Sequence, residues 1–301
     1  MDVDDASAAR YREMPGPVGE RLRSFLRQGE NGAWLELENG RCPMWRRDGL
    51  CTLQAECGHE ALCQVCREYP RLYMDYGDFA EWGLELSCPE AARLIFAGLT
   101  GETETVPGGE PAEYDPQIMA VLQKSREELL HYWKSSSHSV PEKLAVTLLF
   151  AHQVQGAVDG AAYIPLDGET CLASAKGYAG EGSLTALLSF YQGLELLTVQ
   201  WRERLAAPQP GGWDPRLAAF AEYLIRRYWL QAVWDMDVVC RAKLILSACL
   251  TVNALGGDPV RTAQLYAKEI ESDPENREAV LDAAYQTAAF TDKNLLSLLL
   301  K

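Results

Sequence analysis

Apolar and polar residues follow a helical period over most of the chain and a strand period in two short segments near its start. Apolar side chains recur at three- and four-residue spacing over Pro17–Arg27, which predicts an amphipathic helix. Residues 33–40 alternate between apolar and polar and end on Asn-Gly, a pattern typical of a strand and a tight turn. Residues 79–86 alternate in the same way. The two predicted strands lead to Cys42 and Cys88, so we expect them to carry both thiols to one site.

Beyond residue 113 the period is helical, and Gly- and Pro-rich breaks divide this part of the chain into predicted helices. These helices span residues 116–134, 141–158, 183–206, 215–230, 238–255, 260–270, 276–289 and 291–300. No fixed period with matching residues relates them, so a repeat solenoid is not predicted.

The predicted fold class is mainly α. Residues 1–100 are expected to form an N-terminal helix and a small cysteine-rich metal-binding module with a short β-hairpin or strand pair. The polar, Gly- and Pro-rich residues 101–113 predict a linker, and residues 114–301 predict an all-helical domain long enough to bury its own core.

Cysteine is concentrated in one part of the 301-residue chain, since six of its nine cysteines lie between Cys42 and Cys88. The first 30 residues have neither the basic start nor the apolar core of a secretory signal, and apolar runs such as Leu244–Leu250 are short for a bilayer span. We therefore expect a cytoplasmic protein with no membrane partner. In a reducing compartment, clustered thiols bind metal or do redox chemistry more often than they form structural disulfides.

The net charge of −15 disfavours binding to nucleic acid phosphates or to an anionic membrane surface. Residues 41–71 differ from the rest, because they carry five arginines against four acidic residues. Nearby cations lower the pKa of thiols and favour the thiolate, which is the form that binds metal. A local fluctuation in composition is the alternative explanation.

The cysteines follow the spacing C-x8-C-x5-C-x5-C-x2-C-x21-C. A zinc ribbon needs two C-x2-C pairs, and only Cys63 and Cys66 form one. Neither the bacterial nor the plant ferredoxin spacing is present. The spacing therefore predicts a metal site for an iron–sulfur cluster or Zn2+ without selecting the four ligands. His59 is a further candidate, although a lone histidine in a Gly-His-Glu turn is more often solvated.

Four short sequence words around these cysteines carry a resemblance to a known family. They are Arg41–Trp45 (RCPMW), Asp48–Cys51 (DGLC), Cys66–Arg71 (CREYPR) and Leu86–Arg93 (LSCPEAAR). In this order and at these separations the words resemble the flagellin lysine-N-methylase family, and the resemblance covers residues 31–98. A weaker similarity runs through Tyr266, Glu269-Ile270-Glu271 and Asn276, with Ser272 where the family has histidine.

The resemblance implies a 4Fe-4S cluster, S-adenosylmethionine as methyl donor and flagellin as protein substrate. Its implied metal ligands are Cys42, Cys51, Cys66 and Cys88. Cys57 and Cys63 fall where the family has no cysteine, so they are read as incidental thiols or secondary redox sites. Arg67 and Arg71 would lie near Cys66 on a helix, where they would offset the negative charge of a thiolate-bound cluster or serve only as structural contacts.

The start of the chain departs from the family pattern. Family members begin with a further cysteine-rich stretch that ends in a Cys-Cys pair and a Gly-Trp, followed by an Ile-Asp word. Residues 2–11 resemble that Ile-Asp word, so we expect that the preceding stretch is missing from this sequence.

Methyl transfer to a lysine needs a neutral amine, which acidic and aromatic groups and desolvation favour. The best local concentrations of such groups are residues 223–229, with Tyr223 and Trp229, and residues 234–237. Packing in the core is the alternative role for these aromatic residues. No G-x-G-x-x-G motif follows a strand, so the sequence identifies neither the catalytic residues nor those that bind the methyl donor.

Three functions are therefore compatible with the sequence. The first is an S-adenosylmethionine-dependent lysine methyltransferase that modifies surface lysines of flagellin. The second is a non-catalytic protein with a Zn2+ or iron–sulfur site, whose helical domain binds a partner. The third is a redox module in which Cys63 and Cys66 form a reversible disulfide.

Overall fold

A computed structural model describes residues 1–99, 104–108, 113–178 and 180–300. The protein is 62% helix and 10% strand, which confirms the mainly α fold class. The chain divides into unit 1, Met1–Leu72, and unit 2, Tyr73–Lys301. This division precedes the linker expected at residues 101–113. Within that segment, Glu104–Pro107 form a strand, and residues 101–103 and 109–112 lie outside the described residues.

Unit 1 combines a three-stranded antiparallel sheet with short helices. Its elements are β1 (Asp2–Val3), α1 (Asp5–Glu13), α2 (Gly16–Phe25), β2 (Leu26–Gly29), β3 (Gly32–Leu35), α3 (Thr52–Cys57) and α4 (Gln64–Glu68). The strand order is β1-β3-β2. The helix expected over Pro17–Arg27 is α2, which ends at Phe25 because Leu26 pairs with Leu35 in the sheet.

The core of unit 1 is small and unusually rich in sulfur. Its largest buried side chains are those of Tyr11 and Leu22, and they pack with Met44 and Cys63. Cys42, Cys51 and Cys66 are partly buried against the same core. A unit of this size buries little apolar surface, so any further link between its segments adds substantially to its stability.

Unit 2 holds the longer helices and one small sheet of strand order β4-β5-β6. The sheet and the helices before the central one are β4 (Arg71–Asp75, which begins two residues before the division), β5 (Phe79–Leu84), α5 (Pro89–Phe96), β6 (Glu104–Pro107), α6 (Pro116–Ser135), α7 (Val140–Val158), α8 (Gly168–Lys176), α9 (Leu184–Gln192), α10 (Val199–Ala206), α11 (Leu217–Tyr228) and α12 (Ala232–Asp235). They are followed by α13 (Val238–Leu255), α14 (Pro259–Tyr266), α15 (Pro274–Gln286) and α16 (Asp292–Leu299).

The helix α13 is the centre of unit 2, and α7, α11 and α15 pack around it. All of its residues except Asn253 are buried. By length and composition this helix could also cross a membrane, but 94% of its apolar segment is buried inside the protein. Its uniform apolar character therefore matches its position in a protein core.

Two predicted elements differ from the structure for reasons that lie in tertiary contacts. Residues 183–206, predicted as one helix, form α9 and α10 with a break at residues 193–198. Glu269 stabilises the break, because its carboxylate accepts hydrogen bonds from the backbone N–H groups of Leu197 (2.8 Å) and Thr198 (2.9 Å). The helix α8 was not predicted, and Asp167 caps its start by accepting hydrogen bonds from Glu169 and Thr170.

Candidate functional site

Four cysteine side chains meet in unit 1. Cys63 is buried, with 2% of its surface exposed, and Cys42, Cys51 and Cys66 pack partly buried against the same core. Cys57 belongs to the same unit but is exposed. The structure thus brings together three of the four ligands that the family resemblance implies, and it adds Cys63 to them.

The fourth implied ligand, Cys88, belongs to unit 2. It is partly buried and immediately precedes α5. The module predicted to hold a metal with Cys42, Cys51, Cys66 and Cys88 therefore draws on both units. The assignment of this ligand set stays a prediction.

A closed loop positions Cys42 and Cys51. The N–H of Trp45 donates to the carbonyl of Cys42 (2.9 Å), and Trp45 forms a bridge with Cys51 across the loop. The N–H of Thr52 donates to the carbonyl of Met44 (2.8 Å), which joins the loop to the first residue of α3. These bonds hold both ends of the loop against the core of unit 1.

A helix start positions the other pair of thiols. Cys63 immediately precedes α4, and Cys66 lies in its first turn, so the C-x2-C spacing places both sulfurs on one side of the turn. Interaction with the neighbouring Cys66 thiol lowers the pKa of Cys63 despite its burial, and interaction with Cys63, together with burial, raises the pKa of Cys66. The Cys66 sulfur also lies 3.7 Å from the sulfur of Met1.

Residues from the start of the chain surround this pair, and the cysteine spacing did not indicate them. Tyr11 is buried in the same core as Cys63, and Arg10 donates to the carbonyl of Leu62 (3.2 Å). Asp4 caps α1 at Ser7 and accepts from the N–H of Gln64 (2.8 Å); the bond to Gln64 is the main cause that lowers the pKa of Asp4 to about 2. The similarity of residues 2–11 to the Ile-Asp word of the family was the sequence signal for this segment.

The charged and imidazole groups predicted near the cysteines have other surroundings. His59 lies exposed in a turn of 3-10 helix. Arg67 comes within 3.9 Å of Glu60, and Arg71 donates to the carbonyl of Arg67 (3.2 Å). These contacts agree with the alternative in which Arg67 and Arg71 serve as structural contacts.

The thiols of Cys42, Cys51, Cys63 and Cys66 are the potential metal ligands of unit 1. Four thiols suit an iron–sulfur cluster or Zn2+. Among the described residues, however, no three or more Cys, His, Asp or Glu side chains have the arrangement of a site for one metal ion. The thiols of unit 1 therefore match these metals in chemical type and do not form a closed single-ion site.

Unit 2 contains a buried carboxylate among aromatic residues. The carboxylate of Glu271 accepts from the hydroxyls of Tyr228 (2.8 Å) and Tyr223 (3.4 Å), and Arg227 lies 3.5 Å away. Burial raises the pKa of Glu271, an effect that Arg227 and Tyr228 partly offset. Glu271 ends a turn of π-helix over Ala267–Glu271, a distortion that is frequent at functional sites.

This carboxylate cluster holds the segment that leads to Cys88. The Leu86 N–H donates to the Tyr223 hydroxyl (3.4 Å), and Gln264 donates to the carbonyl of Ser87 (2.5 Å). Ser272, where the family has histidine, hydrogen-bonds Glu85. The weak similarity near residue 271 and the strong one near Cys88 thus belong to the same part of unit 2.

The other residues proposed for an amine site have separate roles. Trp229 is buried and donates to Ser125 (2.9 Å), which agrees with the core alternative. Trp234 is exposed and stacks on Tyr76, and Asp235 pairs with Arg241. Tyr223, Trp229 and Trp234 therefore do not line one site.

One cavity in unit 2, lined by Trp213, Leu250 and Asn253 among others, has a volume of about 200 Å³. Pockets that enclose drug-sized ligands are larger, at roughly 300–1,000 Å³. This cavity is therefore small for a whole S-adenosylmethionine molecule.

Comparisons with protein-family models, with curated proteins and with solved structures found no match to this chain.

Proposed function

We propose that this protein is a cytoplasmic, S-adenosylmethionine-dependent lysine methyltransferase that modifies surface lysines of flagellin. The observation that carries the proposal is the ordered set of four sequence words between Arg41 and Arg93. The gathering of Cys42, Cys51 and Cys66 in one core supports it, because these are three of the cysteines in those words. The acidic net charge supports the absence of nucleic acid and membrane partners.

The reaction transfers a methyl group from sulfur to nitrogen. The uncharged lysine amine attacks the methyl carbon, a C–N bond forms, the C–S bond breaks, and S-adenosylhomocysteine leaves as a neutral thioether. The methylated amine then loses a proton to water or to a basic group. A bound iron–sulfur cluster would supply a redox-active or stabilising centre, and Cys42, Cys51 and Cys66 are the residues of unit 1 that would contribute to holding it.

The test is a transfer assay with full-length protein purified without oxygen. Flagellin and methyl-labelled S-adenosylmethionine are added, and label on lysine is located by mass spectrometry. We expect label on flagellin lysines and none on flagellin whose lysines have been acetylated. Iron-loaded protein that transfers no label would contradict the methylase proposal and favour the non-catalytic metal protein.

One observation favours a second function, the redox module, because Cys63 and Cys66 form a C-x2-C pair at the start of α4 and share one core. Oxidation by a disulfide such as oxidised glutathione would form the Cys63–Cys66 bond, reduce that disulfide to two thiols and transfer two electrons and two protons. Thiol alkylation and mass spectrometry across a series of glutathione redox buffers would detect the loss of two free thiols. A Cys57→Ser variant is the matched control, since Cys57 is exposed.

A further inference from the structure

Four cysteine side chains share the core of unit 1. We infer that Cys42, Cys51, Cys63 and Cys66 form the ligand set of an iron–sulfur cluster, with Cys63 in the place that the family resemblance gives to Cys88. The inference rests on the metal-binding part of the proposed function and is independent of methyl transfer.

These four thiols share one environment. Cys63 is buried in the core of unit 1, and Cys42, Cys51 and Cys66 pack against that core. Cys57, which is close to them in sequence, points to solvent and belongs to no such group. The fold therefore sorts the cysteines of unit 1 into a cluster of four and one exposed thiol.

Two segments of unit 1 each carry two of the four thiols. Cys42 and Cys51 lie at the two ends of a hydrogen-bonded loop, and Cys63 and Cys66 lie at the start of α4. Two segments that each supply two thiols are a common construction of four-cysteine metal sites. In this construction Cys63 is an equal partner of Cys66 rather than an incidental thiol.

A positive charge lies next to the thiol pair. Arg10 donates to Ser7 (2.8 Å) and to the carbonyl of Leu62, the residue before Cys63. A nearby positive charge favours the thiolate, which is the form that binds metal.

Four thiolates are the ligand set of common iron–sulfur clusters. The proposed function implies such a cluster, so we assign the four thiols of unit 1 to iron and sulfide rather than to Zn2+.

The test compares full-length variants that differ by one thiol. Wild type, Cys63→Ser, Cys88→Ser and Cys57→Ser are purified without oxygen, and iron and acid-labile sulfide are measured per chain. We expect Cys63→Ser to lower both by roughly tenfold or more, because even changes to groups beyond the ligands alter metal affinity by that factor. Cys88→Ser and Cys57→Ser should keep the wild-type content.

Loss of iron from Cys88→Ser with retention in Cys63→Ser would overturn the inference, as would a wild-type protein that contains neither iron nor sulfide. Since Cys63→Ser removes a buried group, a second measurement uses the wild type alone. Iodoacetamide modification of Cys88 in the iron-loaded protein should release no iron; release in step with modification would make Cys88 a ligand. Iron-loaded protein that transfers no methyl group would reject only the methylase proposal.

Discussion

Exposure separates cysteines that the sequence presents as equivalent. Cys57 ends α3 and faces solvent, whereas Cys63, six residues later, is 2% exposed and shares the core of unit 1 with Tyr11 and Cys66. Both lie outside the family words, so the resemblance treats them alike. Burial next to other thiols is therefore the property that makes Cys63 a candidate ligand and leaves Cys57 as a control.

A single carboxylate, Asp292, joins three helices of unit 2. It bonds to His152 on α7 (2.8 Å) and to the buried Lys243 on α13 (3.0 Å). Although burial opposes ionisation, these two partners lower the pKa of Asp292 from 3.8 to about 2. A carboxylate whose pKa is lower in the folded state stabilises the fold above its unfolded pKa and loses that contribution as the pH falls.

We expect Asp292→Asn to lose up to about 2 kcal/mol of unfolding free energy through this linkage at pH 7, before the cost of removing the carboxylate from its ion pair with the buried Lys243. The linkage part should shrink between pH 4 and pH 2. Urea unfolding across this range checks it, with Asp282→Asn at an exposed position of α15 as control. A difference from wild type that does not change with pH would refute the linkage.

The Tyr223 hydroxyl links the carboxylate cluster to the segment before Cys88. It accepts from the Leu86 N–H (3.4 Å) and from Arg227 (2.6 Å). We expect Tyr223→Phe to cost about 1–2 kcal/mol and to speed hydrogen exchange of peptides that contain Leu86. Tyr178→Phe, at an exposed tyrosine of unit 2, is the matched control. Unchanged exchange at Leu86 would mean that other contacts hold the segment.

Among the helices, residues nearby in sequence determine where α7 begins, whereas a residue distant in sequence stabilises the break between α9 and α10. Ser139 and Glu142 form a capping box, with the Ser139 N–H 2.9 Å from the Glu142 carboxylate, and α7 begins there as the pattern predicts. The break between α9 and α10 depends instead on Glu269, about 70 residues away in sequence. No local pattern around residues 193–198 contains that information.

We expect Glu269→Ala to destabilise unit 2 by about 3 kcal/mol, because it leaves the N–H groups of Leu197 and Thr198 and the Thr198 hydroxyl without their acceptor. Chemical denaturation followed by circular dichroism measures the change. Glu203→Ala, at an exposed position of α10, should stay within about 0.5 kcal/mol of wild type. Equal effects of the two substitutions would contradict a specific role for Glu269.

At the scale of the whole molecule, the two units differ in what stabilises them. Unit 2 has a large core around α13, whereas unit 1 has a small core that includes four thiols. A ligand that binds only the folded form adds stability, by about 2.7 kcal/mol when its concentration is a hundred times its dissociation constant. Iron bound to unit 1 should therefore stabilise that unit selectively.

Removing iron with a chelator is expected to raise hydrogen exchange of peptides from residues 1–72 and to leave peptides of α13 unchanged. Mass spectrometry of the protein before and after chelation measures both sets at once. Cys57→Ser should behave as wild type, because its thiol is exposed. Exchange that rises equally in both units, or in neither, would contradict a cluster confined to unit 1.

The features of this protein that its sequence predicts are those that depend on interactions between residues close together along the chain. Helical periodicity, caps such as Asp115 before α6 and Asp237 before α13, and the sequence words around the cysteines depend on residues within a few positions of one another. They specified the mainly α fold class and most helix ends, and they carry the prediction of a metal site. The strand Glu104–Pro107 was missed because it forms by pairing with β5.

The choice among the cysteines belongs to the tertiary structure. The sulfur of Cys63 lies 3.9 Å from the Asp2 carbonyl, and Tyr11 is buried in the same core, so residues more than fifty positions away create its environment. Sequence words identify cysteines by their neighbours along the chain, whereas a metal binds thiols that are neighbours in space. Cys63 and Cys57 could therefore be told apart only after the chain had folded around one of them.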